Sequence, residues 1–217
     1  MPGFTELTAV AAVLLRDHID TDAIIPSREI RAVSKSGLAQ GLFAGWRYLP
    51  GSDRIPDPAF VLNDPLYRGA RILLTGANFG CGSSREHAVW ALAEYGFSAL
   101  IASSFNSIFY RNCLRNGVLP ATLALPEIRL LAAWVAEDPQ QHRLTVNLQT
   151  RQITSADRSW TFDIGDDARE QLLEGLSEID RTLKLRDAIE AFRAADRTRR
   201  PWVYEVQSSP DLSTGSD

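Results

Sequence analysis

The sequence predicts an α/β fold built on a parallel βαβαβ core, and three observations predict it. Between residues 69 and 122, short apolar runs alternate with helix-spaced segments in the order strand, helix, strand, helix, strand. Glycines stand where the two helices should stop, at Gly96 and Gly117. After residue 142 the pattern changes to alternating polar and apolar residues with turn breaks, which adds a hairpin or a three-stranded meander to that core.

The elements follow in order. Thr8–Leu15, "TAVAAVLL", is an unbroken apolar run and is predicted to be one buried strand. It ends in "RDHIDTDAIIPS", a polar turn with three aspartates that closes on Pro26. Residues 27–70 lack strong periodicity and carry several glycines and prolines, so they are expected to be irregular with short helical turns. "GARILLTG", 69–76, is the next strand. Ser84–Tyr95 is predicted to be helical, with Ala88 and Leu92, and Ala91 and Tyr95, one turn apart. "SALIASS", 98–104, is a strand, and Ser104 is placed to cap a helix over Phe105–Asn116. "GVLPATLA" gives the last strand of the core. A helix is expected over Glu127–Glu137, the meander over residues 143–164, and helices over Asp166–Glu174 and Asp180–Arg193. Strands joined through helices of this length pair in parallel.

A chain of 217 residues is long enough for one good core. No repeat and no linker divides it, so residues 1–206 are expected to form one domain, with 207–217 a polar, disordered tail. A formal net charge of −4 argues against a nucleic-acid platform. No apolar run is long enough to cross a bilayer. The N-terminal apolar run lacks a basic leader, so it is read as a strand and not as a signal peptide. The two cysteines, Cys81 and Cys113, suit a reducing cytoplasm better than a disulfide framework, and the expected location is cytoplasmic. An iron–sulfur cluster needs three or four thiolates and a structural zinc site needs clustered Cys and His. With neither Cys-x-x-Cys nor paired histidines, the chain is expected to hold no such metal by itself.

The chemistry concentrates in one stretch, "TGANFGCGSSREHAVWAL", Thr75–Leu92. A strand, a glycine loop and a helix start make a recurring anion site, because the first helical N–H groups are unpaired and the dipole favours negative charge. The known versions do not fit. Gly80, Gly82 and then Arg85 break the dinucleotide fingerprint, no lysine completes a phosphate loop, and G-x-S-x-G is absent. A Cys81 nucleophile with His87 as base would need His87 to reach back from a full turn into its own helix. A plain tight turn, with Ser83 or Ser84 as the helix cap, also accounts for the glycines and serines. It does not account for Arg85. A cation in the first helical turn opposes the dipole, whereas a guanidinium beside serines and free N–H groups is a good carboxylate receptor.

"GANFGCGSSREHAVWAL", with "HIDTDAIIP" before it and "SSFNSIFYRNCLRNGVLP" after it, resembles the small subunits of 3-isopropylmalate dehydratase, in the aconitase superfamily, over roughly residues 5 to 205. "GLFAGWRYL" and "FVLNDPLYRGA" point to the bacterial small-subunit type. The resemblance implies the swivelling β/β/α domain of aconitase, with the parallel core and the added hairpin and helices. It implies a hydro-lyase of leucine biosynthesis that interconverts 2- and 3-isopropylmalate by dehydration and rehydration. It also implies a large partner subunit holding a [4Fe–4S] cluster that acts on the leaving hydroxyl. By resemblance Ser83 is the base, Arg85 grips a substrate carboxylate, Ser84 donates to the same anion, and Asp22 lies near the active site. Asp22 reads equally as a turn aspartate bonded to local backbone.

A serine base needs support. A helix N-terminus offers an anion up to about 2 kcal/mol, or about one and a half pKa units, so Arg85, neighbouring N–H donors and exclusion of water must add to it. His87 and Glu86 are expected to be structural, Cys81 a small buried filler, His18 and His142 surface residues, and Trp90, Phe109 and Tyr110 core. One stretch departs from the family pattern. After "IIPS" the chain runs "REIRAVSKSG", with Arg28 and Arg31 where the family is more apolar and lies near the substrate's variable group. Both arginines are expected to face solvent or pair with acids such as Asp20 or Glu29, which keeps isopropylmalate as the substrate. The alternatives are a sister hydro-lyase on another substituted malate, such as a methylmalate, and a stand-alone anion-binding module.

Overall fold

The computed structural model describes residues 3–30, 34–156 and 158–204. They fall into two compact units that part after Ser177. Arg31 and the segment 207–217, expected to be a tail, lie outside the described residues.

The first unit is built on two four-stranded sheets. What the sequence suggests as one strand is two: β1, Glu6–Ala9, and β2, Ala11–Leu14. They part at Val10, whose carbonyl accepts from the Arg71 and Ile72 N–H groups. Burial explains the division. β1 alternates exposed and buried residues, as a strand with one solvated face does, whereas β2 is covered on both faces. The polar turn holds a single helical turn, α1, Thr21–Ile24, capped by the Asp20 carboxylate, which accepts from Ala23 N at 2.7 Å. Short helical turns follow, at Ser27–Glu29, Ala39–Gly41, α2 (Ala44–Arg47), Val61–Asn63 and Pro65–Tyr67. The core continues as β3 (Ile72–Thr75), α3 (Glu86–Tyr95), β4 (Ala99–Ala102), α4 (Ser107–Arg115), β5 (Leu119–Thr122) and α5 (Leu125–Glu137). Strands β6 (Leu144–Asn147), β7 (Gln152–Ser155) and β8 (Arg158–Thr161) form the meander, and α6, Asp166–Glu174, closes the unit.

One sheet is all parallel, in the order β2-β3-β4-β5. The other is antiparallel, in the order β1-β6-β7-β8, so β1 joins the meander as a fourth strand that its sequence does not announce. The parallel sheet is buried on both faces. Ala12, Leu73 and Leu100 pack against Ala88, Leu92, Phe109 and Cys113 of α3 and α4. Ile72, Leu74 and Ile101 point the other way, into a second core shared with α5, α6 and the antiparallel sheet through Leu131, Val135, Val146 and Leu172. The strands alternate between these two cores residue by residue, as a period of two requires.

Several helix boundaries differ from the sequence reading. α3 begins at Glu86, two residues after the expected Ser84. α4 is capped by Asn106 in place of Ser104, with the Asn106 side chain accepting from Ile108 N at 3.0 Å. Phe105 is still extended, in a bridge with Phe79, so the helix cannot start earlier. α5 takes in Leu125 and Pro126, proline being acceptable in a first turn whose N–H groups are unpaired anyway.

The second unit holds α7, Glu178–Leu183, α8, Arg186–Arg199, and a short turn at Pro201–Val203. The one helix expected over 180–193 is therefore two, divided at Lys184 and Leu185 by a tight turn in which Leu185 N donates to Thr182 O. Within this unit Asp196 is buried and takes two 2.7 Å bonds from Arg200 and one of 3.0 Å from the Tyr204 hydroxyl.

Candidate active site

In open parallel sheets, ligands bind beyond the carboxyl ends of the strands. Here three loops leave those ends side by side, after β2, β3 and β4. The loop after β3, residues 76–85, lies in the middle and both neighbours grip its backbone. On the β2 side, His18 N donates to Ala77 O and Gly80 N to Ile19 O, both at 2.8 Å, and Thr21 N donates to Cys81 O at 2.9 Å. The Asp17 carboxylate accepts from Ala77 N at 2.6 Å. On the β4 side, Phe79 N donates to Ser104 O and Asn106 N to Phe79 O, both at 3.0 Å. The first half of the loop, residues 76–81, is thus a platform tied to the strand ends on both sides.

Two glycines shape it. Gly80 has φ +73° and lies on the Phe109 ring, where a Cβ would overlap ring carbons. Gly82 has φ +84° and sits over Asp20, where a Cβ would come within 3.3 Å of the Asp20 Cβ. Both positions require glycine for backbone reasons, and Gly80 for space as well.

Ser83 and Ser84 follow and are exposed. Neither caps the helix. The cap position belongs to Arg85, with extended backbone (φ −122°, ψ 104°) and no side-chain capping bond. Arg85 therefore stands before the first helical turn and not in it. The reason lies in the loop. An Asp20–Cys81 bridge, the left-handed turn at Gly82 and a 2.9 Å bond from the Thr21 hydroxyl to the Ser83 carbonyl tie residues 81–83 to the α1 turn, and the backbone is still extended at Arg85, so the helix begins at Glu86. Thr21 is buried, and the sequence reading passed over it in favour of Asp22 beside it. The signal was there in the pattern Asp20-Thr21-Asp22, whose first two members hold the turn and whose third faces the loop.

The Arg85 guanidinium, with 23% of its side chain exposed, ion-pairs with Asp22 Oδ1. The Ser27 hydroxyl donates to the same oxygen at 3.3 Å. The hydrogen bond from Arg85, against a smaller opposing effect of desolvation, holds the Asp22 carboxyl below the ordinary carboxylate range. The structure thus brings Asp22 and Arg85 into contact across 63 residues, and fixes Ser83 between them in sequence through its carbonyl. Ser84 has no role in this network.

The neighbours behave as follows. Glu86 accepts from Asn116 Nδ2 at 2.8 Å, and Asn116 Oδ1 accepts from Trp90 Nε1 at 3.1 Å and from Lys35 Nζ at 3.3 Å. His87 packs against Trp90 with ring centres 4.7 Å apart, and its Nε2 is buried without a hydrogen-bond partner among the described residues. Cys81, whose backbone belongs to the loop bridge, is partly exposed rather than buried. Cys113 is buried in the core, where desolvation pushes its thiol well above the usual value. His18 is exposed, but His142 is half-buried, stacked on Trp134 and bonded through Nδ1 to the Trp134 carbonyl at 2.5 Å. Phe109 is core, and Trp90 and Tyr110 pack against the edges of the two cores.

Arg28 is 65% exposed and pairs with Glu29 at 3.5 Å. With Glu29, Tyr48 and Arg54 it also lines a cleft of ≈ 480 Å3 beyond the Ser27–Glu29 turn. Among the described residues, no group of three or more His, Cys, Asp or Glu could hold a metal ion, and no helix is long and apolar enough to cross a membrane.

Residues 1–126 match the family described as the aconitase C-terminal domain. The chain is 56% identical over 205 residues to the 3-isopropylmalate dehydratase small subunit of Cupriavidus necator, covering 94% of this chain and 99% of that one. It is 45% identical over 212 residues to the small subunit of Neisseria gonorrhoeae, with coverage of 94% and 99%. Among solved structures it resembles a 3-isopropylmalate dehydratase from Methanocaldococcus jannaschii, with a TM-score of 0.62, 28% identity, and coverage of 87% of this chain and 99% of that one.

Proposed function

The chain belongs to the 3-isopropylmalate dehydratase small-subunit family of hydro-lyases, and from that premise we propose that Ser83 and Arg85 are its contribution to an active site completed by a large subunit. The substrate on this reading is 2- or 3-isopropylmalate. The observation that carries it is the Asp22–Arg85 pair beside an exposed serine on a loop whose backbone is already fixed.

Dehydration removes a proton from the carbon beside a carboxylate and a hydroxyl from its neighbour. The ionised Ser83 oxygen takes the proton, and the hydroxyl departs as hydroxide to leave an alkene, the proton on Ser83 and the hydroxide together amounting to the water removed. Readdition at the other carbon, with the proton returned by Ser83, completes the isomerisation. Arg85 holds a substrate carboxylate. Its five N–H groups allow it to serve Asp22 and the substrate together, and Asp22 keeps the planar fork aimed along the loop. The N–H groups that open α3, directly after Arg85, add to the field that favours an oxygen anion at Ser83. The backbone of residues 76–81 is bonded to the loops on both sides, which suits electrostatic preorganisation. The [4Fe–4S] cluster and the closure that excludes water are assigned to the large subunit.

The test is kinetic and uses the assembled pair. Ser83→Ala should lower kcat by about 10²- to 10⁴-fold, the range for losing a general base, with the fold unchanged. Arg85→Lys should raise KM by about tenfold or more, since an ammonium cannot replace a bidentate fork. Near-normal kcat/KM in either variant would refute the role of that residue.

A second reading, a sister hydro-lyase on another substituted malate, is favoured by one observation. Arg28 borders the cleft beside the Ser27–Glu29 turn, where a purely apolar substituent would meet charge. Arg28→Ala in the assembled enzyme separates the two. A fall in kcat/KM on isopropylmalate of about a hundredfold would make the arginine a substrate ligand; an unchanged value leaves isopropylmalate as the substrate.

A further inference from the structure

We propose that Arg54 is a positioning residue for substrate binding, acting on Arg85 through Glu29, Ser27 and Asp22. The inference rests on the carboxylate-binding role of Arg85 given above.

Arg54 is one of the few non-glycine residues with left-handed backbone, at φ +58°. Such a conformation persists only where the surroundings over-determine it. Here three contacts do so. Arg54 Nη1 donates to the Gln40 carbonyl at 3.1 Å, Nη2 meets Glu29 Oε2 at 2.5 Å, and the guanidinium lies 5.5 Å over the Tyr48 ring. The Tyr48 hydroxyl donates to the same Gln40 carbonyl at 2.9 Å. Glu29 in turn has nowhere to swing. Its side chain is 11% exposed and lies against Gly41 so closely that a Cβ there would stand 2.7 Å from the Glu29 Cβ.

Glu29 ends the three-residue turn Ser27–Glu29, closed by its own N–H on the Pro26 carbonyl at 2.9 Å. The first residue of that turn is Ser27, whose hydroxyl reaches Asp22 Oδ1, the oxygen that receives Arg85. A turn this short moves as a unit, so fixing Glu29 fixes Ser27. Asp22 itself is 53% exposed. An exposed ion pair contributes little order alone, because two long side chains must be held in one geometry against water. The geometry of the Asp22–Arg85 pair therefore depends on its third member, Ser27, and through it on Arg54. Among the described residues, the hydrogen bonds and ion pair of Arg54 go to Gln40 and Glu29 and not to the loop that carries Ser83 or to Arg85, so its effect is on how the receptor is aimed.

The assembled enzyme with its large subunit is assayed on isopropylmalate, with Arg54→Gly, Glu29→Gln, Asp22→Asn, Arg85→Lys and the Arg54→Gly/Asp22→Asn double variant. Glycine takes a φ of +58° without strain, so the first variant removes the side chain and keeps the turn. Arg54→Gly should raise KM about fivefold to tenfold with kcat within about twofold, and the double variant should be no worse than Asp22→Asn alone, the non-additivity of one network. A merely structural role lowers the active fraction, and so the apparent kcat, while KM stays put. That result, or additive losses in the double variant, overturns the inference. Should Arg54→Gly fail to assemble, Glu29→Gln gives the same readout, and an unchanged KM there overturns it equally. If Arg85→Lys raises KM and neither Arg54→Gly nor Glu29→Gln does, only this inference falls. If Arg85→Lys leaves KM unchanged, the reading of Arg85 falls and takes the inference with it.

Discussion

Asp22 shows how much a single carboxylate can depend on a residue far along the chain. Its pairing with Arg85 was not legible in the sequence, although both residues were named there. The contact needs the loops after β2 and β3 to run side by side, and only the parallel register of Ala11–Leu14 with Ile72–Thr75 puts them so. The same register explains why two serines that look like helix caps are not. The Asp20–Cys81 bridge and the Thr21 hydroxyl on the Ser83 carbonyl anchor the chain at and just before them, and these contacts outweigh the capping preference of any one side chain. The pair has a signature in acid. A carboxyl lowered in the folded state adds stability that is present above its unfolded pKa and is lost as pH falls through the folded one. For Asp22 the loss should therefore come below the ordinary value of 3.8. Carboxyl-carbon NMR titration should place its midpoint under that value, and Arg85→Gln should move the midpoint upward. A midpoint indifferent to Arg85 would mean the pair does not form in solution.

Elements here are held by side chains that sequence periodicity does not register. Glu94, on the exposed side of α3, accepts from Gly37 N at 2.6 Å, Leu38 N at 2.5 Å and Ala39 N at 2.8 Å. Desolvation alone would raise its pKa. Together the three backbone donors outweigh that effect and lower it, so the clamp persists in acid below the usual glutamate value and opens only when the carboxyl takes up its proton. Irregular segments are placed in this way by a few strong acceptors, which is why residues 27–70 gave the sequence reading so little beyond short turns. Glu94→Gln should leave α3 intact and speed amide exchange at Leu38 and Ala39 by about tenfold, as local opening becomes easier. Unaltered protection at those amides would show that packing of Leu38 and Leu42, not the carboxylate, holds the segment.

On the scale of the whole molecule the parallel core was legible because its pattern is local: each strand, helix and stop glycine lies within about a dozen residues, the usual span of such units. The assignment of faces was not, since every strand of that sheet is apolar on both sides. Ile101 illustrates the consequence. It is fully buried in the core shared with α5 and the antiparallel sheet, while Leu130 on α5 is 53% exposed. Ile101→Ala should cost about 2–5 kcal/mol in a denaturant titration of the assembled protein, and Leu130→Ala within about 0.5 kcal/mol. Equal losses at the two sites would contradict the burial described.

The division of the first apolar run at Val10 bears on the order in which a growing chain can be completed. β2 finds its partner once residues 72–75 are made, and β4 and β5 extend the same sheet by residue 122. β1, immediately before β2, pairs only with residues 144–147. As the chain leaves the ribosome, β1 must therefore wait with its backbone groups in water until residues 144–147 have been synthesised, joined all the while to a neighbour whose partners arrive much sooner. β1 thus joins the second sheet when β6 arrives, well after β2 has found β3, and β7 and β8 complete that sheet afterwards.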